Sequence, residues 1–136
     1  MAEAPKQGPV LPEGWPRPKG YSNGYVVGNV LFVAGQVGWD TQERMAEGFL
    51  AQFTLALQNV RAVLDAAGVP VENVGRVTVY VTDKHVYMHN VAAVGAAWRA
   101  VLGKHYPAMS LVQVAALLED GAQVEIEATA VIPSAP

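Results

Sequence analysis

The chain has 136 residues, a net charge of −3, and 15% charged against 51% hydrophobic side chains. This length suits a single domain. The acidic balance and the lack of a lysine or arginine run argue against nucleic-acid binding, which needs basic side chains to displace counterions from phosphates. The absence of cysteine excludes disulfides, thiolate zinc sites and thiol nucleophiles. So few charged residues on a small domain indicate that another copy covers part of the surface.

The N-terminal segment, residues 1–20, is rich in proline, which fixes φ and lacks a backbone donor. We therefore expect an extended arm ahead of a single domain over residues 21–136. The arm has no apolar signal core, and no apolar run in the sequence reaches the ~18 residues of a membrane-spanning helix. We expect no membrane partner and a cytoplasmic location. Trp15 lies in the arm, where pinning the arm to the domain is favoured over stacking on a ligand.

Hydrophobic periodicity and turn residues divide the rest of the chain into strands and helices. In chain order, the predicted elements are strands over 21–28 and 30–37, a helix over 48–67, a strand over 75–82, a helix over 86–102, and strands over 110–118 and 123–132. Gly28 and Asn29 supply a tight hairpin turn. Gly35, inside the second strand, indicates a bulge or a close backbone approach. Apolar residues at steps of three and four, starting at Leu50, give the first helix its buried face, and Gly68 ends it.

The second half of the chain carries its own start and turn signals. The strand over 75–82 alternates strictly, and Asp83 suits the N-cap of the helix that follows. Asp120-Gly121 predicts a hairpin between the last two strands. The first of these strands is nearly all apolar from Leu111 to Leu118, which predicts burial on both of its faces.

The element order is β-β-α-β-α-β-β, which predicts an α+β protein. Two helices cannot cover both faces of the sheet, so they should pack on one face. The last strand places Val124 and Ile126 on one side and Glu125 and Glu127 on the other. The face without helices then needs a second subunit to cover it. The pattern alone therefore predicts an oligomer.

Four segments resemble the Rid (YjgF-type) family of reactive-intermediate deaminases in order and spacing. They are YSNGYVVGNVLFVAGQVG, NVRAVLDAAG, VGRVTVYVTD and HYPAMSLVQVAALLEDGAQVEIEATAVI. The resemblance covers about residues 20–132, and the tail followed by VEIEA is its most specific part. It implies a chorismate-mutase-like fold and a homotrimer that binds a small-molecule ligand in clefts between subunits. It also implies hydrolysis of enamines or imines to ketones and ammonia, with no metal and no cofactor.

Several positions match the site residues of the resembled family. Glu125 matches the glutamate that positions the hydrolytic water, which would make it the catalytic residue. Tyr21 matches a tyrosine near the first strand, and Gly35 and Gln36 match the Gly-Gln after the second strand. Tyr21 can equally be a packing residue with a wet tip, and Glu127, on the same strand face as Glu125, is favoured as structural.

Other positions depart from the family pattern. Deaminating members carry an arginine in a PARS-type motif, which binds the substrate carboxylate; here Met109 stands in that place, between Ala108 and Ser110. A thioether cannot replace a planar cationic fork. Ala34 replaces a serine, and Gly95 falls where the family has a helix asparagine. The resemblance thus predicts a substrate site made of Tyr21, Ala34, Gly35, Gln36, Met109 and Ser110.

Basic and histidine side chains give weaker candidates. Arg44 and Arg99 are possible replacement anchors, although surface or interface ion pairs are favoured. His85 and His89, four residues apart, could share a helix face, but they lack a third metal ligand, so a solvated helix start is favoured. His105 belongs to the tail motif and is expected to be structural.

Two functions of different classes remain open. The first is hydrolytic deamination of an enamine or imine that lacks the usual carboxylate, with Glu125 handling water. The second is non-catalytic metabolite binding by a homotrimer that uses the same clefts; the loss of the arginine and serine favours it, whereas Glu125 favours the enzyme. Ribonuclease activity, a label sometimes attached to the family, is disfavoured by the acidic balance.

Overall fold

The computed structural model describes residues 4–133, which form one six-stranded mixed sheet and three α-helices. The strands are β1 (Gly8–Val10), β2 (Gly24–Val27), β3 (Val30–Val37), β4 (Val74–Val81), β5 (Ala108–Gln113) and β6 (Val124–Val131); the helices are α1 (Phe49–Ala66), α2 (Lys84–His89) and α3 (Val91–Leu102), with a 3₁₀ turn at Val71–Asn73. The strand order is β1-β2-β3-β6-β4-β5. Only β4 and β5 run parallel; the other neighbours are antiparallel.

The predicted α+β fold class is confirmed, with the two long helices against one face of the sheet. Phe53 and Leu57 of α1 and Trp98 of α3 join the alternating apolar residues of the central strands in one core. The opposite face is open, and its Phe32 is 48% exposed. The burial of apolar area on one face only leaves that open face available to a partner. None of the described helices is long and apolar enough to cross a membrane.

Part of the predicted N-terminal arm is a strand of the sheet. β1 pairs with β2 in antiparallel register, Gly8 opposite Val26, and Gln7 donates a hydrogen bond from Nε2 to the Gly28 carbonyl at 2.9 Å. Trp15 is partly buried against the core, as pinning requires. Residues 1–3 of the arm lie outside the described residues.

Several local predictions are confirmed. β3 spans the predicted residues, and its hairpin turn with β2 has Gly28 at a left-handed φ of 62°. The pairing of β3 with β6 slips between Val33 and Gln36, which places a bulge around Gly35. Asp83 caps α2, its carboxylate accepting a hydrogen bond from the His85 backbone N–H at 2.9 Å.

The predicted hairpin at Asp120-Gly121 is wrong. These residues do form a turn, closed by a hydrogen bond from the Ala122 N–H to the Glu119 carbonyl at 3.1 Å. However, β5 pairs in parallel with β4 at the sheet edge, and β6 lies between β3 and β4. The predicted strand over 110–118 ends at Gln113, and Leu118 is 92% exposed. The continuous apolar run therefore belongs to an edge strand and a loop. The length of an apolar run does not show which strands lie beside it in the sheet.

The helix predictions need two corrections. The single helix predicted over 86–102 is two helices, α2 and α3, which meet at Asn90. The Asn90 side chain donates a hydrogen bond to the Val86 carbonyl at 2.7 Å, the local side-chain bonding that competes with a continuous helix. In α1 the buried face is rotated relative to the prediction, so that Leu50 is exposed and Gln52 is 2% exposed.

Candidate functional site

Five of the seven predicted site residues line one cleft in a single protomer. They are Tyr21, Ala34, Gly35, Gln36 and Glu125, and the cleft has a volume of about 260 Å³. Its remaining walls come from Asn23, Val37, Trp39, Leu118 and Glu119. The bulged strand β3, the start of β6 and the loop before β6 thus converge on Glu125.

Gly35 makes room for the Glu125 carboxylate. Glu125 lies opposite Val37 in the β3–β6 ladder, beside the bulge. A Cβ added to Gly35 would lie 2.8 Å from both Cδ and Oε2 of Glu125, well inside van der Waals contact. The glycine predicted from sequence as a close backbone approach therefore has a specific neighbour, and that neighbour is the predicted catalytic group.

The surroundings of Glu125 make its carboxylate more basic than usual. Burial is the largest cause that raises its pKa, followed by the negative charges of Glu127 and Glu119. Desolvation disfavours the ionised form, and like charges add to the effect. A carboxylate with a raised pKa is a better proton acceptor at neutral pH, and this property suits a general base.

Buried amides fix the bulged wall of the cleft. Gln36 is 4% exposed, and its Nε2 donates to the Ala34 carbonyl at 3.0 Å and to Asn23 Oδ1 at 3.5 Å. The Ala34 N–H donates to the Asn23 carbonyl at 2.8 Å. Because Gln36 is used inside the wall, it positions Ala34 and Gly35 rather than presenting its own amide to the cleft.

Two polar residues of α1, Gln52 and Asn59, were missed by the sequence reasoning as parts of the site. Gln52 donates to the Gly121 carbonyl at 3.0 Å and accepts from the Gln123 N–H at 2.8 Å, which ties the loop before β6 to the helix. Asn59 donates to the Trp39 carbonyl at 2.9 Å. Both lie on the buried side of the helix, seven residues apart. The sequence signal for this was available: two polar residues seven positions apart share one helix face with the apolar residues beside them.

Tyr21 lies at the mouth of the cleft and is 57% exposed. Its pKa is raised by partial burial first, and then by the negative charges of Glu43 and Glu119. The hydroxyl therefore stays protonated over the physiological range and can donate a hydrogen bond to a ligand.

Met109 and Ser110 do not line this cleft. Both lie on β5, which is two strands from β6 and three from β3. At about 4.8 Å between neighbouring strands, they are roughly 10 Å or more from the cleft of their own protomer. Met109 is 42% exposed at the sheet edge, and Ser110 Oγ accepts a hydrogen bond from Arg76 Nη2 at 3.5 Å.

Glu127 and Arg44 have structural partners, and Arg99 lies against its own helix. Glu127 accepts a hydrogen bond from Tyr80 Oη at 2.5 Å, and Arg44 pairs with Asp40 at 3.0 Å. Arg99 lies over Gly95, where an added Cβ would be 3.2 Å from Nη1.

The histidines likewise offer no metal site. His105 Nε2 lies 2.7 Å from the Val74 carbonyl, at hydrogen-bond distance. Within residues 4–133, no three His, Asp or Glu side chains are grouped to hold a metal ion.

Helices cover one face of the sheet, and a half-buried glutamate lies against a strand bulge. The chain is therefore a small α+β protein whose cleft is centred on a carboxylate. The family of endoribonuclease L-PSP proteins matches residues 16–132. The chain belongs to this family, the Rid family that its tail motif resembles.

Relatives of known name or structure match most of the chain. It is 36% identical over 115 residues to the 2-iminobutanoate/2-iminopropanoate deaminase of Salmonella typhimurium, covering 82% of this chain and 86% of that protein. The crystal structure of Escherichia coli YjgF is 33% identical, with a TM-score of 0.77 over 90% of this chain and 97% of the other. The structure of E. coli TdcF with bound serine is 30% identical, with a TM-score of 0.79 over 93% and 100%.

Proposed function

We propose that the protein hydrolyses an imine or enamine to a carbonyl compound and ammonia, without a cofactor, and that Glu125 is the general base. The observation that carries this proposal is the Glu125 carboxylate, half-buried against Gly35 in a cleft and with a raised pKa. The deaminase name of the Salmonella relative supports the same reaction class.

The proposed reaction needs one water and no redox partner. Glu125 accepts a proton while the water oxygen bonds to the carbon of the protonated imine, which gives a carbinolamine. The proton on Glu125 then passes to nitrogen, and the C–N bond breaks as the C=O bond forms. The regenerated Glu125 carboxylate accepts the hydroxyl proton and passes it to the departing ammonia, which leaves as ammonium. An enamine enters the same path after protonation at carbon. Tyr21 and the backbone beside Ala34 and Gly35 are placed to orient the substrate.

We further propose that the working form is a homotrimer in which β5 of a neighbour completes each cleft. Met109 and Ser110 lie on an edge strand away from their own protomer's cleft, and the open sheet face exposes apolar side chains such as Tyr25, Val27 and Phe32. Exposed apolar area of this kind favours association. Sedimentation at micromolar concentration should give about three times 14.4 kDa. A stable monomer would remove both the trimer and the shared site.

The substrate is proposed to differ from 2-imino acids, because Met109 cannot bind a carboxylate. A charged bidentate contact is worth ~1.5–3 kcal/mol, or roughly 10- to 150-fold. The protein should therefore hydrolyse 2-iminopropanoate slowly, and imines without an α-carboxylate faster.

Ammonia release from a panel of imines, generated in place by amine and amino-acid oxidases, tests the proposal. For the best substrate, Glu125→Gln should lower kcat by roughly 10²- to 10⁴-fold, the usual contribution of a general base. Glu127→Gln is the matched control, because Glu127 lies on the same strand face but is held by Tyr80; it should change kcat little. Equal loss in both variants would contradict the role of Glu125.

The second candidate is a homotrimer that binds a metabolite in the same clefts without turnover. The methionine at 109 and the alanine at 34, in place of the family's arginine and serine, favour it. Ligand binding that Glu125→Gln leaves intact, with no imine hydrolysed by the parent, would select this function. The cleft of the described protomer has no lysine or arginine among its walls, which disfavours an RNA substrate.

A further inference from the structure

A second cavity, which we name the aromatic pocket, adjoins the Glu125 cleft. Its walls include Trp15, Tyr21 and Trp39 together with the acidic residues Asp40 and Glu43, and its volume is about 40 Å³. Tyr21 and Trp39 line both the aromatic pocket and the cleft. A ligand with its reacting carbon near Glu125 can therefore extend into the aromatic pocket.

The two acidic residues of the aromatic pocket differ in what neutralises them. Asp40 accepts hydrogen bonds from the backbone N–H groups of Gln42 and Arg44 and from Arg44 Nε, all at 2.9–3.0 Å. These contacts, led by the Arg44 backbone, lower its pKa, and Arg44 offsets its charge. Glu43 belongs to neither of the two ion pairs found within residues 4–133. Of the two acidic residues in the aromatic pocket, Glu43 is therefore the one whose charge is available to a ligand.

The charges at the junction of the two cavities are negative. Glu43 and Glu119 both raise the pKa of Tyr21, so their fields reach the wall that the pocket and the cleft share. Glu125 adds a third carboxylate, and no lysine, arginine or histidine belongs to the walls of either cavity in the described protomer. An anionic ligand would meet like charges here, whereas a cation would be attracted.

We infer that the aromatic pocket binds a small cationic group of the ligand, an ammonium or methylated ammonium, while the ligand's imine or enamine carbon lies in the cleft. The reaction at that carbon rests on the proposed function; the recognition of the cation does not. Indole faces attract cations, and Glu43 supplies a counter-charge at the rim. One water molecule needs about 10–15 Å³ by the same measure of volume. The aromatic pocket, at about 40 Å³, is therefore large enough for such a head group but too small for a whole metabolite. The substrate class is then an imine or enamine derived from a diamine or amino ketone, not from an amino acid.

Arg17 is the competing anchor that the test must separate. It lies in an adjoining groove with Tyr21 and Ser22, outside both cavities. If the ligand carried a carboxylate, Arg17 would be a basic group available to bind it, because Arg44 is already paired with Asp40. A cationic ligand does not use Arg17.

Three ketones of matched shape test the inference without any turnover: 4-aminobutan-2-one, pentan-2-one and levulinate, which end in an ammonium, a methyl and a carboxylate. Indole N–H signals in ¹⁵N NMR report binding at each tryptophan. Trp98 is the internal reference, because it is 5% exposed and its Nε1 donates to the His105 carbonyl at 2.9 Å. The ammonium ketone should shift the Trp15 and Trp39 signals, leave Trp98 in place, and bind roughly 2- to 30-fold more tightly than pentan-2-one.

Charge variants complete the test. Glu43→Gln should remove most of the preference for the ammonium ketone, whereas Glu47→Gln, an exposed glutamate nearby that lines neither cavity, should retain it. Equal binding of the three ketones, or tightest binding of levulinate that Arg17→Gln abolishes, would overturn the inference. Because the readout is binding, a protein that prefers the ammonium ketone yet hydrolyses no imine would reject the proposed function and leave the cationic pocket standing.

Discussion

The Glu125 cleft and the β5 edge carry the two halves of the predicted site. They differ in the burial of their side chains and in the residues that surround them. In the cleft, Glu125 is half-buried, fitted against Gly35, and walled by the buried amide of Gln36. At the edge, Met109 is 42% exposed on the last strand of the sheet. The cleft is built within one protomer, whereas Met109 and Ser110 at the edge do not line the cleft of that protomer.

Segments that are close in sequence need not lie in the same site of one protomer. Only ten residues separate Gln113, the end of β5, from Val124, the start of β6, yet β4 lies between the two strands in the sheet. A parallel β4–β5 pair puts the tail motif at the sheet edge, and the antiparallel β6 carries Glu125 to the centre. In the proposed trimer, β5 of a neighbouring subunit would bring the two halves together.

Among changes that keep the Glu125 carboxylate, Gly35→Ala should give the largest loss of activity without unfolding the protein. The added Cβ would be 2.8 Å from the Glu125 carboxylate, which must move by about 1 Å to reach ordinary contact. A displacement of that size can cost roughly 100-fold in rate, so kcat for the best imine should fall by about that factor.

Gly75→Ala is the control for the change in backbone composition, because nothing lies within 4 Å of its added Cβ. It should keep both kcat and melting temperature. A Gly35→Ala enzyme with parental kcat would mean that the carboxylate position does not matter, and would remove Glu125 from the mechanism.

Met109→Arg should give a smaller effect that depends on the trimer. Since Met109 is exposed at an edge, the guanidinium can reach water, and the melting temperature should not fall. If a neighbour's β5 completes the cleft, pyruvate or 2-ketobutyrate should bind about 10-fold or more tightly than to the parent, measured by ligand-dependent thermal stabilisation. A stable variant that still ignores keto acids would place Met109 outside the ligand site.

Local chemistry made much of the fold predictable. The turn at Gly28 and the close approach at Gly35 could be predicted, because few residues other than glycine fit such positions. Gly28 adopts a φ of 62°, and Gly35 faces a carboxylate. The alternation of β6 correctly separated Glu125 from the buried Ile126, because a strand repeats every two residues. Strand alternation and α1 together determine one helix-covered face.

The rest depended on long-range pairing, which local patterns do not encode. The parallel β4–β5 pair turned the Asp120-Gly121 turn from a hairpin into a crossover. Gln52 is polar, which is typical of an outer helix face, yet it is buried because it bonds to the backbone of a loop about 70 residues away. Residues whose role is to bond distant backbone look like surface residues until the partner is known.

The pH dependence of kcat for the best imine substrate tests the central role of Glu125 most directly. The ionised carboxylate is the base, so kcat should fall as the pH drops through the pKa of Glu125, which burial and its acidic neighbours hold above the ordinary glutamate value. We expect an acid limb with its midpoint above that value in the parent. In Glu127→Gln the limb should persist at a lower midpoint, because one of the charges that raise the pKa of Glu125 is removed. The residual activity of Glu125→Gln should show no such limb. The same acid limb in Glu125→Gln would contradict the role of Glu125, because another group would then be the base.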